Sequence, residues 1–347
     1  MKIVINKKKF FDNKLPPVII AEISCNHNGS KKNFLDHIKL AKQNGADMIK
    51  IQTYRPKDMV INKNYRIKSG EWKNINLWKL YEKACTPFDW HHSAFKLAKK
   101  INIPLFSSPF SIEAVNFLEK NFNPPLYKIA SFEITDVKLI KEIAKLNKLI
   151  LISTGMANLN EIKQAISLIK RYHSKIIIMH CVSGYPTPEE AANISFINKL
   201  REKFKGIPLG LSDHTNDIYS SLASVPLGVV AIEKHFIKSN SQKSLDSKFS
   251  LNPKKLFELK TMSKKIYISL GSENKNTKIE KNSKLLRRSI FTTKYIKKNT
   301  KISINNINTF RPSTGICASK YFKVVGKYSK RNLNPGTPLY WKDTKKR

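Results

Sequence analysis

Acidic residues are scarce in this chain. Its 347 residues hold 25 Asp and Glu against 64 Lys and Arg, a formal net charge of +39. Cysteine is scarcer still: Cys25, Cys85, Cys181 and Cys317 lie far apart, and none forms a CxxC pair. A disulfide scaffold needs far denser cysteine, so these four read as reduced thiols. Long apolar runs are missing too. No stretch approaches the ~20 residues of a membrane-spanning helix. The opening MKIVINKKKFFDNK is charged and lacks the apolar region of roughly 7–15 residues that a signal peptide carries. The expectation from these absences is a cytoplasmic protein with no membrane partner.

What is present is a core. Hydrophobic residues make up 41% of the chain and aromatics 10%, which excludes intrinsic disorder. The positive excess has two readings. One is a polyanion partner such as nucleic acid, which makes a basic nucleic-acid-binding protein the non-enzyme alternative. The other is a lysine-rich composition spread over solvated helix faces. The lysines are scattered, and no RNP, zinc-finger or arginine-rich segment occurs, so no nucleic-acid partner is expected. A positive field still attracts small anionic substrates.

Short apolar runs alternate with amphipathic segments. The runs are 18–23, 48–53, 104–109, 126–131, 149–154, 175–181, 208–213 and 228–236. Near-continuous apolar strands are expected where helices cover both faces of a parallel sheet. Helical patterns fit 31–44, 86–100 (with Thr86 as N-cap), 111–121, 137–147, 158–172 (with Asn158 and Glu161 as a capping box), 192–205, 216–225 and 253–270. Eight strand–helix units in ~270 residues is the arithmetic of a (β/α)8 TIM barrel. A doubly wound open sheet is the alternative, weakened because no GxGxxG turn follows the first strand. The expected organisation is a barrel over 1–275, a polar linker over 276–286 and a small β-rich domain over 287–347. The last is marginal alone and should dock on something.

Barrel active sites lie at the C-terminal strand ends. Those ends carry Glu22, Lys50 and Gln52, Ser108, Lys128 and Ser131 with Glu133 beyond, Ser153, Ser183 and Tyr185, Ser212 and His214, and His235. Side chains alternate along a strand, so Lys50 and Gln52 share a face. Two lysines aimed at one mouth make a phosphate or carboxylate site, unless each only pairs with a structural acid such as Glu22. His214 and His235 end neighbouring strands ~4.8 Å apart and can share one metal ion. Glu133 or Glu22 could serve as general base or neutralise a lysine. Tyr185 could face substrate or cap the barrel.

The stretches IIAEISCNHNGS, IKIQTYRP, FSSPFS, YKIASFEI, LISTGMA, HCVSGYPTP, GLSDHT and IEKHF resemble the sialic-acid (nonulosonic acid) synthase family. The tail LRRSIF…FRPSTGI…VVGK…LNPGTPL is similar to that family's antifreeze-like (SAF) domain. Residues 77–95 and 128–136 look most like the pseudaminic acid synthase branch. The resemblance implies condensation of phosphoenolpyruvate with a 2,4-diacetamido-2,4,6-trideoxy hexose by C–O cleavage. N-acetylneuraminate or legionaminate synthesis is the enzymatic alternative. The resemblance assigns Lys50, Ser108, Lys128, Ser131, Ser153, Ser183 and Ser212 to phosphoenolpyruvate. It assigns His214 and His235 to a divalent metal, Mn2+ or Mg2+. Glu22, Glu133, Tyr185 and Asp246 should contact the sugar or the reacting centre. Arg311 should reach the sugar's N-acetyl group from a partner subunit, which implies a domain-swapped homodimer. Trp78, Tyr81 and Trp90 are expected to supply apolar surface for the deoxy methyl, or to pack an inserted loop. Departures from the family pattern fall at 237–244, at Ser247 and at Ser313.

Overall fold

In the computed structural model, residues 3–5, 8–70, 72–273 and 278–347 are described. The chain divides into two compact units, Met1–Gly271 and Ser272–Arg347. Part of the expected linker, 276–277, lies outside the described residues, and a short helix covers Lys281–Lys284.

The first unit is a closed parallel barrel. Its strands are β1 (Val18–Glu22), β2 (Met48–Thr53), β3 (Leu105–Pro109), β4 (Leu126–Ile129), β5 (Leu149–Ser153), β6 (Ile176–Cys181), β7 (Leu209–Asp213) and β8 (Ala231–Phe236). Each pairs with the next, and β8 returns to β1, with His235 beside Glu22. A two-residue strand, Ser250–Leu251, pairs with the end of β8.

The inward face of each strand changes character along its length, and this positions the site. Ile20, Met48, Phe106, Leu126, Leu151, Ile177, Met179 and Ala231 pack together inside the barrel. Gly210 makes room there, since a Cβ on it would collide with Met179. Two residues further along, the same faces carry Glu22, Lys50, Ser108, Lys128, Ser153, Cys181, Ser212 and Glu233. The period of two keeps them inside. Apolar packing therefore fills the lower barrel and polar groups crowd its upper mouth. Phe10, which ends a strand (Lys8–Phe10) paired antiparallel with Ile3–Ile5, and Phe11 just after it join the lower cluster. The outward faces, such as Ile19, Ile49, Ile51, Ile150 and Ile178, pack against the helices.

The helices follow the amphipathic pattern closely. Asn158 and Glu161 close the capping box expected for Leu159–Lys170. The helix Phe88–Lys100 instead starts from Pro87. Thr86 is buried, its hydroxyl 3.3 Å from His27 Nε2, so a tertiary contact has taken the group that local pattern assigned to capping. In the second unit, Ser289–Thr292 pairs antiparallel with Ile307–Phe310 over a core that includes Ile290, Ile302, Ile307, Val324 and Leu333. The run FKVVGK, expected as extended, begins as a helical turn at Tyr321–Val324.

Candidate active site

Barrel closure brings β1, β2, β4 and β8 together at the mouth. There Lys50 sits between Glu22, its close ion-pair partner, and Glu233, whose Oε1 is 3.4 Å away. Lys128 Nζ lies 3.0 Å from both oxygens of the same Glu233. Ser212 donates to Glu233 at 3.2 Å. All five residues are buried. Burial alone would weaken the Lys50 ammonium, but Glu22 and Glu233 outweigh it and push the pKa up to about 12. Burial would likewise raise Glu233, yet Lys128 and Lys50 pull it down to about 2. For Lys128, burial and the nearby Lys50 charge together lower the pKa despite Glu233. The two readings of the lysines thus meet. Both converge on one mouth, and each is held there by an acid.

Sequence reasoning gave Glu233 no role. Its signal was present in the alternation, because Glu233 and His235 share the inward face of β8. Lys234 points the other way, 3.3 Å from Asp213, and donates to the Thr215 carbonyl.

A group of hydroxyls flanks the lysines. Ser131 opens the short turn after β4, and its hydroxyl accepts from the Gly155 N–H at 3.1 Å. A Cβ on Gly155 would run into the hydroxyls of Ser131 and Ser183. The Ser153 hydroxyl is buried with no hydrogen-bond partner among the described residues. Ser108 lies 3.5 Å from Lys50 Nζ, in register with Gln52. A compact anion cradle needs this: cations, hydroxyl donors, and a residue without a side chain where space is shortest.

Glu133 closes the same turn. Burial, with Asp136 adding to it, raises its carboxyl to about 7 against the opposing pull of Lys50 and Lys128. Its Oε2 is buried without a hydrogen-bond partner among the described residues. A carboxyl poised near neutrality in a cavity has the properties of an acid–base group.

The two imidazoles face each other. The rings of His214 and His235 are 5.4 Å apart at 60°. His214 Nδ1 is 3.0 Å from the Val182 carbonyl, which fixes that nitrogen as the N–H and leaves Nε2 free to coordinate. Asp246 Oδ2 lies 3.2 Å from His235 Nδ1, off the line of a directed hydrogen bond. This donor set, two imidazoles each backed by an oxygen, fits one divalent ion. Among the described residues no three His, Cys, Asp or Glu side chains converge as metal ligands, so water or substrate would complete the shell. The Tyr185 ring lies 4.4 Å from that of His214, tilted by 41°, and Phe249 packs against both imidazoles.

Gln52, Glu133, Ser183, Tyr185, His235 and Asp246, among others, line a cavity of about 610 Å³, whereas Lys50, Lys128, Glu22, Glu233 and His214 are buried and do not line it. A surface hollow of similar size, between the helices Val137–Lys145 and Leu159–Lys170, holds none of the strand-end groups. Of the three aromatics expected near substrate, Tyr81 lines the cavity. Trp90 packs behind it on Phe34 and His27, and Trp78 lies under Lys63 Nζ at 4.6 Å. Trp72 and Tyr54, which sequence reasoning passed over, line the cavity instead. Arg311 belongs to the second unit, exposed just after the strand Ile307–Phe310.

A closed barrel whose strand ends gather two buried lysines paired with acids, a group of serine hydroxyls, a near-neutral carboxyl and a facing imidazole pair has the layout of a (β/α)8 enzyme. The chain belongs to the NeuB family, which matches residues 37–275, and a SAF domain matches residues 287–344. It is 38% identical to the pseudaminic acid synthase of Helicobacter pylori over 93% of this chain and 96% of that protein. It is 36% identical to the N,N'-diacetyllegionaminic acid synthase of Campylobacter jejuni, over 91% and 96%. It superposes with a TM-score of 0.74 on N-acetylneuraminic acid synthetase from Leptospira borgpetersenii, solved with citrate. That match is at 30% identity and covers 82% of this chain and 95% of the other. The chain is therefore an enzyme of the nonulosonic acid synthase class, with the barrel and small C-terminal domain that the resemblance implied. Among the described residues no helix is long and apolar enough to cross a membrane.

Proposed function

We propose that this cavity condenses phosphoenolpyruvate with a 2,4-diacetamido-2,4,6-trideoxy hexose to give pseudaminic acid and phosphate. The observation that carries the reading is the meeting of Lys50, Lys128, Glu133 and the His214–His235 pair at one barrel mouth. The stronger likeness to pseudaminic acid synthases favours that sugar.

Lys50 and Lys128 offset the charge of phosphate and carboxylate. Glu22 and Glu233 keep the two ammonium groups aimed inward before substrate arrives, so little reorganisation accompanies binding. Ser108, Ser131, Ser153, Ser183, Ser212 and Gln52 supply hydrogen bonds to the anion. Glu22, Tyr185 and Asp246 contact the sugar. His214 and His235 would hold Mn2+ or Mg2+, which supplies Lewis-acid polarisation of the open-chain aldehyde. Carbon 3 of the enol then bonds to the aldehyde carbon. Water adds to the cationic carbon 2, and Glu133 takes its proton. The tetrahedral intermediate breaks its C–O bond and phosphate leaves.

The division of labour is a synthase barrel over 1–275, a linker over 276–286 and a docking domain over 287–347. In that arrangement Arg311 of a second copy reaches the sugar's N-acetyl group in a domain-swapped homodimer. The setting is the cytoplasm, a reading supported by four free cysteines.

Mass spectrometry of the product from a panel of candidate hexosamines tests the reading. The trideoxy diacetamido sugar should give a pseudaminic acid mass with stoichiometric phosphate. Equal or better turnover of N-acetylmannosamine, or of the legionaminate precursor, would overturn the sugar assignment.

A further inference from the structure

The cavity has a second wall that the reaction chemistry leaves unused. Between β2 and the helix Phe88–Lys100 the chain makes an excursion through short helices at Pro56–Met59 and Leu77–Ala84. Its middle is a hairpin. Arg66 bridges Asn76 in antiparallel fashion, and Ile67 N–H donates to Ile75 O at 3.0 Å. Gly70, at φ +83° with open space around it, makes the turn. Within 61–75, Ile67 and Trp72 are the half-buried residues among those described, while Lys63, Arg66, Lys68 and Lys73 are exposed.

In an eight-stranded ring β2 and β6 stand opposite each other. Trp72, beyond β2, places its ring 5.7 Å from that of Tyr185, just beyond β6. The hairpin therefore crosses the mouth and roofs it. Met59, Ile67, Trp72, Leu77 and Leu80 give this side an apolar lining, and the hydroxyl-bearing Tyr65 and Ser69 line it too. The lining beyond the strand ends carries the polar groups Gln52, Glu133, Ser183, His235 and Asp246, interleaved with Phe110, Phe132 and Met156. A hydroxyl pressed against the Ile67 and Trp72 side chains of the hairpin wall loses its water and gains no partner from them, whereas a methyl there is stabilised by burial.

We propose that this hairpin recognises the non-reacting end of the sugar, with Trp72 selecting a deoxygenated carbon 6 over a hydroxylated one. The proposal rests on the synthase reading above and adds a specificity residue to it. Trp72 meets the site through Tyr185 rather than through the lysines or the imidazoles.

The test compares kcat/KM for the 6-deoxy diacetamido sugar and its 6-hydroxy counterpart in the intact enzyme, in Trp72→Ala and in Trp72→Phe. One apolar group in a hydrophobic pocket is worth roughly 10–200-fold in discrimination. Trp72→Ala should lower the 6-deoxy preference by about tenfold or more at an unchanged KM for phosphoenolpyruvate, and Trp72→Phe should restore most of it. Ile67→Ser, on the same exposed hairpin, should shift the preference in the same direction. Equal loss on both sugars, or a parallel rise in the phosphoenolpyruvate KM, would overturn the proposal. Equal use of both sugars by the intact enzyme would overturn it while leaving the synthase reading standing. Turnover of neither would overturn both.

Discussion

Replacing Glu133 by Gln keeps the shape of the side chain and removes its ionisation. In the folded protein burial holds the carboxyl's pKa near 7, against 4.5 for a free glutamate. The unfolded chain therefore releases this proton at lower pH than the native state does. Between pH 4.5 and 7 the native state binds more protons than the unfolded one, so stability falls as pH rises through that window. The difference corresponds to about 3 kcal/mol above pH 7. Gln mimics the protonated form and escapes this loss. Urea unfolding across pH 4–8.5 should show the variant equal to the parent near pH 4 and more stable by up to about 3 kcal/mol at pH 8. The same variant should lose about 10²–10⁴ in kcat, the usual contribution of a positioned acid–base group. A stability difference that stays constant across this pH range would refute the buried-carboxyl reasoning. Unimpaired turnover would refute the catalytic role.

Other perturbations address the rest of the mouth. Lys128→Met strips Glu233 of its two-oxygen partner and leaves Lys50 at 3.4 Å and Ser212 at 3.2 Å. Breaking a buried pair costs about 3–5 kcal/mol, and with Lys50 still facing the acid we expect the lower end, read in the urea midpoint at pH 7. Calorimetry should show phosphoenolpyruvate binding lost in that variant, and retained affinity would contradict the cradle. Gly155→Ala pushes the Ser131 and Ser183 hydroxyls apart and should raise the KM for phosphoenolpyruvate about tenfold, within the range a displaced hydrogen-bonded group costs. His214→Ala should abolish both manganese binding by calorimetry and turnover; near-normal rates with a chelator present would contradict the metal site.

The barrel was legible because its strands are short apolar runs covered on both faces, and each of the eight appears within a few residues of its expected place. The inward direction of Lys50 and Gln52 was legible from alternation alone. The same rule applied to β8 separates Glu233 from Lys234, one turned into the mouth and the other toward Asp213. What alternation does not supply is partnership. Lys128 and Glu233 are 105 residues apart, and only closure of the ring brings them together. The roof hairpin was hidden for a different reason. Within 61–75 the apolar residues Ile61, Tyr65, Ile67, Trp72 and Ile75 follow neither a helical nor a sustained strand period, so the pattern does not mark the cavity-lining ones. For Trp90 the packing alternative holds, because a helix with a good apolar face can bury its tryptophan behind a site as readily as at it.

Phosphoenolpyruvate labelled with ¹⁸O at the oxygen bridging carbon 2 and phosphorus tests the central claim directly. If the barrel mouth works by carbon 3 attack, water addition and C–O cleavage, mass spectrometry will find the label in inorganic phosphate and an unlabelled keto acid extended by three carbons. Label retained in the organic product, or phosphate released without a new carbon–carbon bond, would contradict the account.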